Sequence, residues 1–315
     1  MTTLRNGLNY CLRPLLWITL CTTGAMTLAQ PDPELGGRFQ ALDRSASWQL
    51  LREVELQFDT HHPQGMVRVG DHFFLSSVEI IERTRRLDNA GAGPDRSTGV
   101  GVGHLFKFAD DGTLLASMQL GEGSRYHPGG IDYDGQWLWV SVAEYRPDSH
   151  SLVYRVDPQT LNAELIFEFA DHLGAIIHDR ESQTLVAASW GSRRFYKWRR
   201  LDDNSWSDPI EQTNRSHYVD LQDCQSLPEQ QMLCGGLASV RTSGGEVSTI
   251  GGLELLDINT LAAIHQLPVL ETSANGSLLT RNPIYLSADG DSLLLFAAPD
   301  DNLSRLYTYR LSPAN

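Results

Sequence analysis

Lysine is almost missing from this 315-residue chain: of its 25 basic residues only Lys107 and Lys197 are lysines, and the rest are arginines. Arginine suits bidentate recognition of carboxylates and phosphates better than lysine does, although genomic base composition accounts for the bulk bias equally well. Positive charge is scarce as a whole. With 39 acidic residues the formal net charge is −14, a field that repels polyanions and disfavours nucleic acid and acidic membrane surfaces as partners. No G-x-S-x-G, no Cys/His pair and no amphipathic anchor is present, so serine, cysteine and membrane-bound mechanisms rank low. No long stretch keeps a helical period, and no apolar run is long enough for a comfortable membrane span.

What is present starts with an export signal. Arg5 and Arg13 precede the apolar run Leu15-Leu16-Trp17-Ile18-Thr19-Leu20-Cys21, and small residues lead to Thr27-Leu28-Ala29 before Gln30. Leu20 stands where lipoprotein processing at Cys21 wants a small residue, which argues against a lipid anchor. The expected organisation is a signal peptide over 1–29, a polar linker over 30–45 and a single domain over 46–315, giving a secreted or periplasmic monomer. Loss of the signal leaves 23 basic against 39 acidic residues. Two of the four cysteines, Cys11 and Cys21, lie in that segment. The remaining pair, Cys224 and Cys234, are ten positions apart around a Ser-Leu-Pro-Glu-Gln turn, and in an oxidising compartment they are expected to bridge adjacent strands of a hairpin.

The rest of the chain breaks into runs of four to eight residues rich in Val, Ile, Leu, Phe, Tyr and Trp, divided by Gly, Asp, Asn and Pro. That pattern predicts many short strands. The clearest unit spans 127–169, with strands expected at 130–133, 137–143, 151–156 and 164–169 and Asp-Gly and Asp-Pro turns between them. The same order recurs from His62, His172, His217 and Asn282. Repeats of about 45 to 65 residues, four strands each, predict an all-β fold: a five-bladed β-propeller, with six blades as the runner-up. The last unit lacks its fourth strand, and the spare one near 50–58 is expected to pair with it, closing the ring and removing an exposed edge.

Gly-Gly-Ile-Asp-Tyr-Asp-Gly-Gln-Trp-Leu-Trp-Val-Ser and Tyr-Arg-Val-Asp-Pro-Gln-Thr-Leu resemble the blade motifs of secreted propellers of the glutamine-cyclotransferase-like and SMP-30/strictosidine-synthase-like types. The resemblance implies the fold and carries no reaction with it.

Chemistry is sought where the repeats agree. Aligned first strands place His62, His127, His172, His217 and Asn282 at one equivalent position, spaced 65, 45, 45 and 65 residues apart. Four imidazoles converging at the axis would hold a divalent transition metal, Zn, Mn, Fe or Cu, with open positions for water or substrate; turn chemistry copied with the blade is the structural alternative. Glu79 and Glu144, at the ends of second strands, are candidate catalytic carboxylates, as orienting groups, ligands or general bases. Trp190 occupies the same place in its repeat. Arg83, Arg146, Arg125 and Arg281 surround the expected ring as substrate clamps, the first of them in a Gly-rich insertion over 83–103 that is a lid candidate. The register at His61-His62 is ambiguous, so His61 is either a bystander or an alternative to His62, while His104 falls off the pattern. The expected ligand is a small anionic or carbohydrate-like molecule. Metal-dependent lyase, hydrolase or oxygenase chemistry, metal-free glycan or peptide binding, and a protein-interaction scaffold remain the three function classes.

Overall fold

The computed structural model describes residues 1–2, 34–88 and 93–314; the expected signal peptide from residue 3 onward and the start of the linker lie outside them. The described residues form an all-β fold. After a short helix α1 (Leu35–Gln40) and a strand β1 (Ser47–Glu55) come β2 (His62–Val69), β3 (His72–Glu82), β4 (Val100–Ala109) and β5 (Leu114–Leu120). Then follow β6 (Arg125–Tyr133), β7 (Leu138–Glu144), β8 (Ser151–Val156), β9 (Ala163–Phe169), and β10 (Leu173–Asp179), β11 (Thr184–Ser189), β12 (Arg194–Arg199), β13 (Ile210–Thr213). The chain ends with β14 (Asp220–Leu227), β15 (Gln231–Arg241), β16 (Val247–Asp257), β17 (Ala263–Val269), β18 (Ile284–Asp289), β19 (Ser292–Ala297) and β20 (Arg305–Ser312).

Strands β2–β5 and β14–β17 form antiparallel meanders, and β6–β9 and β10–β13 are two more, joined into one eight-stranded sheet by a single parallel bridge between Gly130 and Ala175. The last sheet runs β18-β19-β20 and takes its fourth strand from the other end of the chain: β1 pairs antiparallel with β20, Ser47 opposite Ser312 and Glu55 opposite Arg305. Cys224 and Cys234 face each other across β14 and β15 and are disulfide-bonded.

Apolar clusters fill the spaces between successive meanders. Val67 and Phe74 meet Ile131 and Val140; Trp139 and Val153 meet Ile176 and Leu185; Ala175 and Val186 meet Leu221 and Met232. Leu253 and Leu255 then meet Ile284 and Leu295, and Phe296 and Leu306 meet Phe73 and Leu75, so the last set packs back on the first. The expected linker departs from its reading here. Leu35, Phe39 and Leu42 are buried in the cluster between β14–β17 and β18–β20, because three apolar side chains on one side of a helical turn and its exit have a hydrophobic surface to cover.

The first strands of the meanders converge, and polar side chains stitch them together. Gly65 has no room for a side chain, since a Cβ there would run into the backbone of Gly130 and Ile131. Asp223 occupies the matching place in β14, and its fully buried carboxylate accepts the backbone N–H of Met66 at 2.9 Å and of Ile131 at 3.1 Å, and that of Ile284. Asp132 accepts from Ser226 and His178. Burial raises the pKa of both, to about 7 for Asp132 and well above the ordinary value for Asp223. These groups satisfy donors that strand pairing leaves open, and they close the axis beneath the site.

Candidate functional site

At the mouth of that axis lies a cavity of about 220 Å³. In β2, β6, β10 and β14 the residue ahead of the bulged segment lines it. The bulges fall between Pro63 and Gly65, after Pro128, between Leu173 and Ala175, and between Leu221 and Asp223. The equivalent positions are therefore His62, His127, His172, Asp220 and, before Pro283, Asn282.

Three imidazoles line the cavity. The His62 and His127 ring centroids are 6.4 Å apart, and those of His127 and His172 6.0 Å. His172 donates from Nδ1 to the Glu144 carbonyl at 2.8 Å, and burial brings its pKa down to about 4 despite that bond. Neutral His172 therefore carries its proton on Nδ1, and Nε2 is left with a lone pair. His62 Nδ1 lies 2.7 Å from Asp301 Oδ1, which as a carboxylate accepts its hydrogen bond. Burial opposes ionisation of Asp301, yet the His62 hydrogen bond, the adjacent ring and Arg281 bring its pKa down to about 2. His127, only 5% exposed, has no partner on either ring nitrogen; burial first, then His172 and His62, keep its pKa well below the ordinary value. An orphaned buried imidazole costs on the order of 1–3 kcal/mol of desolvation.

Aromatic side chains complete the walls. Tyr145 stacks on His127 at 4.2 Å and 18°, and Trp190 meets His172 edge-on at 4.8 Å. Over Trp190 sits Arg96, 5.0 Å above the ring, so the insertion between β3 and β4 does reach the cavity. Its span is shorter than the expected 83–103, because β3 and β4 stay paired as far as Glu82 and Val100. Residues 89–92 of it lie outside the described part.

Several expected members stand elsewhere. His217 is exposed beside a different cavity, where Arg193 bonds its Nδ1 at 2.8 Å; Asp220 takes its place, at the rim and bound to Arg193 at 3.0 Å, with burial raising its pKa. Asn282 is buried at the expected position but is bound to the Pro299 carbonyl and Asp301. The Glu144 carboxylate is not free to act as a base: Ser124 donates to it at 2.6 Å and Arg146 at 2.7 Å, and although burial alone would raise its pKa, these bonds and the Arg146 charge hold it below the ordinary value. Its contribution to the cavity is its backbone carbonyl. Arg146 is thereby occupied, Arg125 pairs with Glu168 and Glu122, and Arg281 with Asp301. Arg83 is exposed and its charge acts on Tyr145. Glu79 lies away from the ring, 3.3 Å from His104.

The four expected imidazoles therefore do not form a compact ligand set. Among the described residues, the group of metal-capable side chains whose ligand atoms all lie within 4.8 Å of one another is His61, Glu79 and His104. Tyr145 and Asp220 are cavity residues that sequence reasoning missed, and so is Asp301, which holds His62 from behind. The Pro or Leu that follows each ring position, as in Asp220-Leu221, was the signal that could have found Asp220.

An all-β scaffold with a histidine-walled axial cavity is the class these features define. The chain belongs to the family of unknown function DUF6454, whose model matches residues 18–312. No curated protein sequence matches it. Among solved structures it is similar to a luciferin-regenerating enzyme (9% identity, 86% of this chain and 96% of that one, TM-score 0.48). It is also similar to a DUF4623 family protein from Bacteroides eggerthii (12%, 83% and 75%, TM-score 0.43) and the Neurospora crassa Pan2 WD40 domain (10%, 87% and 98%, TM-score 0.44). Likenesses at this level carry no reaction.

Proposed function

We propose that this protein is a secreted or periplasmic five-bladed β-propeller whose axial cavity binds a small hydroxylated, carbohydrate-like ligand. The cyclic order of the five apolar clusters and the β1–β20 pairing support the blade count. The disulfide fits an oxidising compartment, and no helix among the described residues is long and apolar enough to cross a membrane.

The observation that carries the ligand reading is His127, buried with two unpartnered nitrogens between His62 and His172. With Nδ1 of His172 committed to the Glu144 carbonyl, its Nε2 accepts hydrogen bonds; His62 is likewise tied through Nδ1 to Asp301. Acceptors of this kind take hydroxyl groups and reject carboxylates. Arg96 and Arg281 are already neutralised by Asp95 and Asp301, which turns the expected anionic ligand into a neutral one, and Tyr145 and Trp190 offer ring faces to it. The same nitrogens are the bases for any proton abstraction from a bound hydroxyl.

A metal-dependent enzyme, with Zn, Mn, Fe or Cu on His62, His127 and His172, is the second reading. It is favoured by one feature, the fixed Nδ1 bonds that resemble those behind metal-bound imidazoles, and opposed by the spacing of the three rings. Thermal-shift and calorimetric screens of neutral sugars, polyols and sugar acids separate the readings. Neutral sugars are expected to stabilise the wild type without added metal, with affinity falling at least about tenfold in His127→Ala. Binding that survives in His127→Ala overturns the assignment, and binding that needs metal transfers it to the second reading.

A further inference from the structure

We propose that His61, Glu79 and His104 bind one divalent transition-metal ion on the face of the β2–β5 sheet, at a site separate from the axial cavity.

The register of three adjacent strands assembles the group. His62 on β2 pairs with Val78 on β3, which puts His61 opposite Glu79; Ser77 pairs with His104 on β4, which puts Glu79 one diagonal step from His104. Side chains two apart on a strand share a face and diagonal neighbours across strands are in reach. His61 and His62 are consecutive and point to opposite sides, so His62 serves the cavity and His61 this cluster.

The geometry suits a small borderline ion. All three ligand atoms lie within 4.8 Å of one another, and His104 Nε2 and Glu79 Oε2 are 3.3 Å apart. That separation is the edge of a tetrahedron whose corners lie about 2.0–2.1 Å from its centre, the Zn–N and Zn–O bond length. The His61 and His104 rings are stacked at 4.9 Å and 22°, and closing their nitrogens onto one ion takes a rotation of the rings out of the stack. Two nitrogens and one carboxylate oxygen favour Zn²⁺, Co²⁺, Ni²⁺ or Cu²⁺ over Mg²⁺ or Ca²⁺. Glu79 is half-exposed and leaves the fourth position open to water.

The surroundings hold the site in place and its ligands ready. Asp59 Oδ1 accepts the His61 backbone N–H at 2.9 Å and lies 3.5 Å from His61 Nδ1, the position of an outer-shell carboxylate. His61 itself is held at φ +50°, a left-handed conformation that costs a non-glycine residue energy, and Asn302 donates to its carbonyl. The Phe106 ring stacks under His104 at 5.3 Å and 8°, closing one side of the group against water.

The test uses the full mature protein, stripped with chelator and titrated with Co²⁺ and Zn²⁺ by calorimetry and visible absorption. One ion per chain is expected, with the d–d bands of four- or five-coordinate Co²⁺. His104→Gln should weaken binding at least about 100-fold, more than the roughly 10–100-fold of losing an outer-shell partner, and Glu79→Gln should weaken it as well. Both substitutions leave apo secondary structure unchanged by circular dichroism, which excludes misfolding as the cause. His127→Ala should bind the ion as the wild type does. Absence of any bound ion in the wild type overturns the proposal, as does loss in His127→Ala with retention in His104→Gln.

Discussion

His62 Nδ1 donates a hydrogen bond to Asp301 across 2.7 Å, and the same carboxylate also binds Arg281 at 2.8 Å and Asn282 at 3.3 Å. One side chain from the segment after β19 thereby fixes two of the ring positions. Asp301→Asn breaks the arrangement in a defined way, because an amide presents a donor as readily as an acceptor and lets the His62 ring turn. Ligand affinity should fall about tenfold, the equivalent of one hydrogen bond of ~1.4 kcal/mol, with little change in melting temperature. Calorimetry beside a thermal scan checks both halves.

The pH dependence of stability carries a signature of His172. Its pKa is about 4 in the folded protein against about 6.5 in an unfolded chain, so the unfolded state takes up the proton first as pH falls. The contribution is complete above pH 6.5 and is lost on acidification towards 4, amounting to about 2 to 3 kcal/mol. Asp132 and Asp223 are shifted upward by burial and work in the opposite direction. The quantity to measure is thus the difference between wild type and His172→Gln in urea unfolding at pH 7 and pH 4.5. The variant should lose less stability than the wild type by that amount; identical slopes would remove His172 from the account.

Asp223 should be the costliest single polar residue of the axis. Its carboxylate serves N–H groups from β2, β6 and β18, and Asp223→Ala leaves them buried without an acceptor, at roughly 1–3 kcal/mol each before relaxation. A loss of about 3 kcal/mol or more is expected, with Asp223→Asn, which retains one acceptor oxygen, falling between the two. Chemical denaturation of the three proteins gives the order.

Opening the Cys224–Cys234 bridge should cost about 2 to 3 kcal/mol, the chain entropy of a ten-residue loop. The double substitution to Ser, compared with the oxidised wild type by thermal unfolding, measures it. Since the bridge lies within β14 and β15, below the cavity, ligand affinity should stay unchanged.

Much of the fold was legible because its signals are local. The runs and turns along 127–169 predicted four strands that match β6–β9 to within a few residues, the missing last strand pointed to β1, and the two cysteines outside the expected signal had one partner each. The site was only half legible. Aligning the repeats on the letter His selected His217, whereas the bulge in β14 follows Leu221 and makes Asp220 the equivalent residue; the backbone irregularity, not the imidazole, is what repeats. Glu144 was placed near the cavity by its strand position, but the direction of its carboxylate is decided by Ser124 and Arg146. His104 was set aside since its role comes from register with β3, a long-range fact that spacing along the chain does not contain.

The central claim is that the cavity histidines, with Nε2 free to accept, hold the ligand. Long-range ¹H–¹⁵N spectra of the histidine side chains, recorded at pH 7 with and without the best sugar from the screen, read the relevant nitrogens directly. In the free protein His172 should show a protonated Nδ1 and an unprotonated Nε2, and ligand should shift the ring nitrogens of His62, His127 and His172 while leaving His217 and His104 in place. A protonated Nε2 on His172, or a bound sugar that moves none of those three rings, would contradict the account.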